Sequence, residues 1–191
     1  CSGPIGVGLM NLVVAPNVAG SAVDHPEGTE PRRLISDSWN RTLSYLRISV
    51  TDRCNFRCQY CMPEEGMDWT PREELLTFEE IERLAKLLVY RFGIESIRLT
   101  GGEPTIRANL SQLIEKLAKL EVDLSLTTNG ATLPLVAKSL HDAGLVRINI
   151  SLDTLKQERF KSLTKRDNLQ EVLQGIEEAK VVGFDPVKIN F

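Results

Sequence analysis

The sequence predicts an α/β fold in which an open, curved sheet of parallel strands is backed by helices on one face only. Two observations carry this. From Leu43 onward, short β-branched runs alternate with amphipathic stretches, which is the pattern of repeated βα units. Within each run apolar and polar residues alternate, and successive strand residues point to opposite faces, so one sheet face is apolar and the other polar. Strands covered on both faces would read as continuous apolar runs, and a closed, packed barrel would carry no polar lining. The polar face therefore lines a wet concavity.

Residues 1–40 are rich in Gly, Pro, Ala and Asn without a sustained period and read as a disordered lead-in, leaving 41–191 as the folded domain. The first strand, 44–51, sets Leu46, Ile48 and Val50 against Arg47, Ser49 and Thr51. Thr77 and Glu80 form a capping box for a helix whose stripe is Phe78, Ile81, Leu84, Ala85 and Leu88, and Gly93 stops it. The second strand, 95–100, alternates Ile97 and Leu99 with Ser96, Arg98 and Thr100. Asn109 with Gln112 opens the second helix, buried through Leu110, Leu113, Ile114 and Leu117. The third strand, 123–128, carries Leu124 and Leu126 against Ser125 and Thr127; Leu133 to His141 is the third helix, closed by Gly144. In the fourth strand, 146–152, Ile148 and Ile150 alternate with Arg147, Asn149 and Ser151. A fourth helix runs from about Asn168 to Gly183, and the fifth strand, 186–191, sets Val187 and Ile189 against Lys188 and Asn190.

Four inward positions are cationic, Arg47, Arg98, Arg147 and Lys188, against one acid, Asp153. Such a lining suits a polyanionic ligand, the alternative being that Arg147 and Lys188, near the starts of their strands, merely reach solvent at the barrel bottom. The 191 residues as a whole hold 23 Lys+Arg and 26 Asp+Glu for a net charge of −3, so there is no general field for nucleic acid. No uncharged apolar stretch reaches the ~18 residues of a transmembrane helix.

Cys54, Cys58 and Cys61 lie together directly after the first strand, while Cys1 stands alone. Clustered thiols point to metal in a reducing compartment, hence the cytoplasm. They sit at the carboxyl rim of the strands, where (βα) folds place their chemistry. A structural zinc ion wants four ligands, and neither His25 nor His141 is well placed to be the fourth. Three thiolates on an iron–sulfur cubane leave one iron open. Spacing alone leaves iron–sulfur, zinc and unligated thiols as alternatives. Gly101-Gly102-Glu103-Pro104, Asn129-Gly130 and Ser151-Leu152-Asp153 end the next three strands at the same rim.

The Cys-x3-Cys-x2-Cys loop with Tyr60 before its third cysteine, followed by Gly101-Gly102-Glu103-Pro104, resembles the radical S-adenosylmethionine (radical SAM) enzymes. The resemblance implies a partial (βα)6 TIM-type barrel, of which this chain covers about the first four and a half βα units. It implies a [4Fe–4S] cluster on Cys54, Cys58 and Cys61 whose open iron is chelated by S-adenosylmethionine, with Tyr60, Gly102 and Ser151 contacting that cofactor. The radical arises there, and no side chain acts as catalyst.

Within the family, the segments from Leu46 to Asn55, Tyr60 to Pro63, Arg98 to Pro104, Thr127 to Gly130 and Ile148 to Asp153 are similar to the branch that cyclises GTP at the start of molybdenum cofactor biosynthesis. In that branch a 5′-deoxyadenosyl radical takes H3′ of GTP and the ribose then attacks C8 of guanine. The similarity implies GTP as substrate, held by Arg47, Arg98, Thr127 and Lys188. It also implies a flavodoxin-like or equivalent electron donor, a homodimer, and a downstream cyclic pyranopterin monophosphate synthase. Two departures stand out: Ser96 replaces a lysine expected beside Arg98, and the branch's second three-cysteine cluster has no counterpart here, so the sequence reads as an N-terminal fragment. The competing readings are a radical SAM enzyme with a non-nucleotide substrate and a non-catalytic thiolate–metal module.

Overall fold

The alternating strands assemble as one six-stranded sheet whose spatial order follows the sequence. The computed structural model describes residues 13–16, 33–62 and 67–191. Its strands are β1 (Val13–Pro16), β2 (Leu43–Ser49), β3 (Ser96–Thr100), β4 (Asp123–Thr128), β5 (Arg147–Ser151) and β6 (Val187–Asn190). Strands β2 to β6 are all parallel, and the connections carry α1 (Phe78–Phe92), α2 (Leu110–Ala118), α3 (Leu133–Asp142), α4 (Gln157–Thr164) and α5 (Leu169–Val182). This is the expected run of βα units.

The two sheet faces divide as the alternation requires. Leu46, Ile48, Ile97, Leu99, Leu126, Ile148 and Ile150 are fully buried, and they meet Ile81, Ala85, Leu113, Ile114, Leu117, Leu133 and Val172 from the helices. Each large side chain so buried contributes about 1.5–3 kcal/mol. The Thr77–Glu80 capping box forms in both directions, and Gly93 closes α1 in the left-handed conformation at φ 73°.

Three expectations need correction. The lead-in before residue 41 is not wholly unstructured, because Val13–Pro16 pairs antiparallel with β2, Val13 opposite Arg47. A short strand ending in Pro leaves no period to read, and the open edge of β2 recruits it. Cys1 and His25 lie outside the described residues. Asn109 precedes α2 as expected, yet it adopts φ 60° and its side chain caps nothing. Helix α4 was not expected at all: only Phe160 and Thr164 are buried along its eight residues, too few to give a helical period.

Candidate active site at the carboxyl rim of the sheet

The rim is built by backbone meeting backbone. Gly102 N–H donates to the Thr51 carbonyl at 2.7 Å and Glu103 N–H to that of Arg53 at 2.8 Å. A Cβ on Gly102 would lie 2.3 Å from the Arg53 oxygen, and one on Gly101 2.3 Å from that of Thr51. The paired glycines thus let the turn after β3 lie flat on the segment leading to the cysteines. Glu103 turns inward and is only 1% exposed. Its Oε1 accepts from Thr105 N–H at 3.1 Å, from the Thr105 hydroxyl, and from the Thr128 hydroxyl at 2.6 Å; its Oε2 accepts from Asn129 N–H at 2.7 Å. Burial pushes this carboxyl up, while the donors pull the other way.

Cys54 and Cys58 are half-buried, Cys61 is exposed, and all three are free thiols. The loop turns on Cys61 N–H and Met62 N–H donating to the Cys58 carbonyl, and Phe56 N–H points at the Cys54 sulfur at 3.4 Å. Arg57 braces it from within, its guanidinium donating to the carbonyls of Cys54 and Phe56, each at 2.7 Å. The outer support is α4: Arg57 N–H donates to Thr164 and Gln59 N–H to Leu163, both at 2.9 Å, while Phe56 meets Phe160 edge-to-face at 5.7 Å.

Burial pushes the Cys54 and Cys58 thiols up, and the neighbouring thiols add to it. Half-buried thiols that resist ionisation, as Cys54 and Cys58 do, are satisfied by a cation, which a metal centre supplies. Among the described residues no three His, Cys, Asp or Glu side chains gather as ligands of a single ion. A polynuclear cluster, which takes each sulfur on a separate iron, fits this donor set.

Below the rim the register aligns Arg47, Arg98, Ser125 and Arg147 in one row across β2 to β5, and Thr127, Asn149 and Lys188 in a row nearer the rim. Arg47 Nη2 donates to the Thr100 hydroxyl at 3.2 Å. Arg98 Nε lies 3.4 Å from the Ser125 hydroxyl, and its guanidinium lies over Tyr45 at 5.4 Å. Arg147 instead pairs with Asp123. That corrects the expected balance of four cations against one acid, since Asp123 shares the polar face and neutralises one cation.

The Tyr60 hydroxyl donates to Asp153 Oδ2 at 2.6 Å, joining the cysteine loop to the loop after β5. Ser151 and Lys188 are exposed and Thr127 is half-buried. Sequence reasoning missed the internal role of Glu103 and the part played by Phe160. Asn129-Gly130 did carry a turn signature, whereas a lone Phe in a polar stretch carries none.

A parallel half-barrel with three free thiols on its first rim loop and a Gly-Gly-Glu turn on its second defines a class of enzyme that works through a rim-bound cluster. Residues 48–191 match the Radical SAM superfamily, and the chain belongs to that superfamily. S-adenosylmethionine and a [4Fe–4S] cluster are the cofactors of that superfamily. Two relatives are each named GTP 3′,8-cyclase. The Streptomyces coelicolor protein is 48% identical over 163 residues, 84% of this chain and 48% of its own length. The Aliarcobacter butzleri protein is 49% identical over 159 residues, 82% of this chain and 49% of its own. The chain thus spans about half the length of the curated relatives it matches. Among solved structures, Streptococcus suis SuiB bound to S-adenosylmethionine aligns with a TM-score of 0.60 at 21% identity, over 77% of this chain and 32% of that one. This last likeness shows the fold.

Proposed function

We propose that the chain is the S-adenosylmethionine-binding half of a GTP 3′,8-cyclase, which converts GTP to 3′,8-cyclo-7,8-dihydro-GTP, the first step of molybdenum cofactor biosynthesis. One observation carries this beyond the likeness to the two cyclases. Arg47 and Arg98 are direct register partners on adjacent strands, and among the described residues their contacts are hydroxyls and a ring rather than a carboxylate. Like charges placed side by side are destabilising without a counterion, and a triphosphate supplies one. Each guanidinium offers a planar fork that matches phosphate oxygens two at a time.

In this reading Cys54, Cys58 and Cys61 hold the cluster, which when bound supplies the electron that cleaves S-adenosylmethionine. The backbone at Gly102, the Ser151 hydroxyl and the Tyr60 ring orient that cofactor over the rim. Lys188 adds a point charge toward the phosphates and Thr127 a hydroxyl, while Arg47 and Arg98 fix the nucleotide beneath. A flavodoxin-like electron donor, a homodimer, a downstream cyclic pyranopterin monophosphate synthase and a cytoplasmic setting belong to the same reading. Among the described residues no helix is long and apolar enough to cross a membrane.

The test is anaerobic reconstitution with iron and sulfide, followed by reduction and measurement of 5′-deoxyadenosine with and without GTP. Formation that rises with GTP is expected. Formation indifferent to GTP overturns the nucleotide assignment, and a chain that takes zinc in place of iron overturns the radical reading.

A further inference from the structure

We infer that Asn129 is a positioning residue for the cysteine loop, holding Cys54 in place through Asn55; the inference rests on the cluster-binding reading above. Asn55 directly follows Cys54 and is gripped from two sides. Its side-chain oxygen accepts from Asn129 Nδ2 at 2.7 Å, and its backbone carbonyl accepts from Arg166 Nε at 3.0 Å, beyond the end of α4. The same side-chain oxygen lies 3.9 Å from the Cys54 sulfur. A shift of Asn55 therefore moves the sulfur with it.

Asn129 is itself fixed, and in one orientation. Its side-chain oxygen accepts from Ala131 N–H at 3.1 Å, and its backbone N–H donates to Glu103 Oε2 at 2.7 Å. Flipping the amide would set an NH2 group against the Ala131 N–H, so Nδ2 must face Asn55. Glu103 anchors the series, because each of its oxygens takes one backbone N–H, Thr105 on Oε1 and Asn129 on Oε2. Each link from Glu103 to Asn129 to Asn55 has one donor, one acceptor and no exchange of roles. The turn after β4 and the cysteine loop consequently move as one body, and a site that must present a thiolate in a set geometry needs such support.

The test compares alkylation of Cys54 with that of the exposed Cys61 in the same cluster-free chain, read by mass spectrometry. Asn129→Leu should raise the Cys54:Cys61 rate ratio about tenfold, the effect of losing one hydrogen bond. Asn129→Asp keeps an acceptor for Ala131 and lets the Asn55 amide turn to donate, so it should restore most of the wild-type ratio. The double variant Asn55→Ala/Asn129→Leu should match Asn129→Leu alone, since both remove one link. Leu140→Ala, in a fully buried position in the last turn of α3 and eleven residues beyond Asn129, lowers thermal stability without touching these links and should leave the ratio unchanged. Should Asn129→Leu not fold, Asn55→Ala carries the same expected rise. An unchanged ratio in Asn129→Leu, or an equal rise in Leu140→Ala, overturns the assignment. In the reconstituted chain, the change in the reduced cluster's EPR spectrum on adding S-adenosylmethionine should be lost in Asn129→Leu and kept in Asn129→Asp. A wild-type chain that takes up no cluster sinks the functional reading, while the thiol ratios still decide the role of Asn129.

Discussion

The backbone N–H of Arg57 donates to the Thr164 carbonyl at 2.9 Å, so the loop with the three cysteines hangs on the last turn of α4. Gln59 repeats the contact one residue earlier on the helix, at Leu163. The final carbonyls of a helix have no donors within it, and here the loop supplies them. The geometry of a site that follows β2 is thereby set by a helix that follows β5.

Phe160 is the apolar half of that joint, 3% exposed and edge-on to Phe56. Phe160→Ala should cost about 3–5 kcal/mol of stability and lower the iron bound per chain after reconstitution. Phe160→Leu should recover most of the stability. Denaturant unfolding and iron analysis check both, and an Ala variant with full iron uptake would show that α4 does not hold the loop.

This joint also marks where the sequence stops being informative. The strands were legible because Leu46, Ile48, Ile97 and Leu99 bury one face while Arg47 and Arg98 keep the other polar, a local period that survives folding. Helix α1 was legible from Thr77, Glu80 and Gly93, whose capping is equally local. Helix α4 was not, since Phe160 packs on a residue distant in sequence. Asp123 falls at the same polar parity as Ser125 and Thr127, yet its pairing with Arg147 depends on a register that no single strand encodes. The cysteines and glycines of the rim were visible as types, whereas the inward turn of Glu103 needed the partners that the ends of β3 and β4 bring to it.

Gly102→Ala tests the close approach of the two rim turns. The added carbon would meet backbone oxygens of Arg53 and Asp52 at 2.3 and 2.4 Å, and neither can rotate away as a side chain would. The loss should reach or exceed the about 1–3 kcal/mol of ordinary overpacking, with a lower denaturation midpoint. A variant with wild-type stability would show that the turns part easily.

Acid sensitivity should trace in part to Glu82, whose hydrogen bonds to Lys86 and then Lys116 hold its carboxyl down at about 2, against an ordinary value of 4.5. A carboxyl lowered in the folded state binds protons more readily when unfolded, so its contribution is present above about pH 4.5 and is lost as pH falls toward 2. Glu82→Gln should flatten the fall of the thermal midpoint across that window and leave the curve above it parallel to wild type. An unchanged slope would mean that the α1–α2 bridge through Lys116 is not maintained in solution.

Arg98 and Arg147, two arginines of the inward row, should behave differently toward GTP. Arg98 contacts the Ser125 hydroxyl and the Tyr45 ring, so its charge is available to a phosphate, whereas Arg147 is already paired with Asp123. Arg98→Met should weaken GTP binding about 10- to 100-fold, the range of a charge-assisted hydrogen bond, and should leave guanosine binding nearly unchanged. Arg147→Met should shift GTP affinity only slightly and show its effect in stability, because it leaves Asp123 without a partner. Calorimetric titration with GTP and with guanosine separates the cases. Equal losses from both substitutions would mean that the row acts through summed charge, and the position of Arg98 beside Arg47 would then carry no special weight.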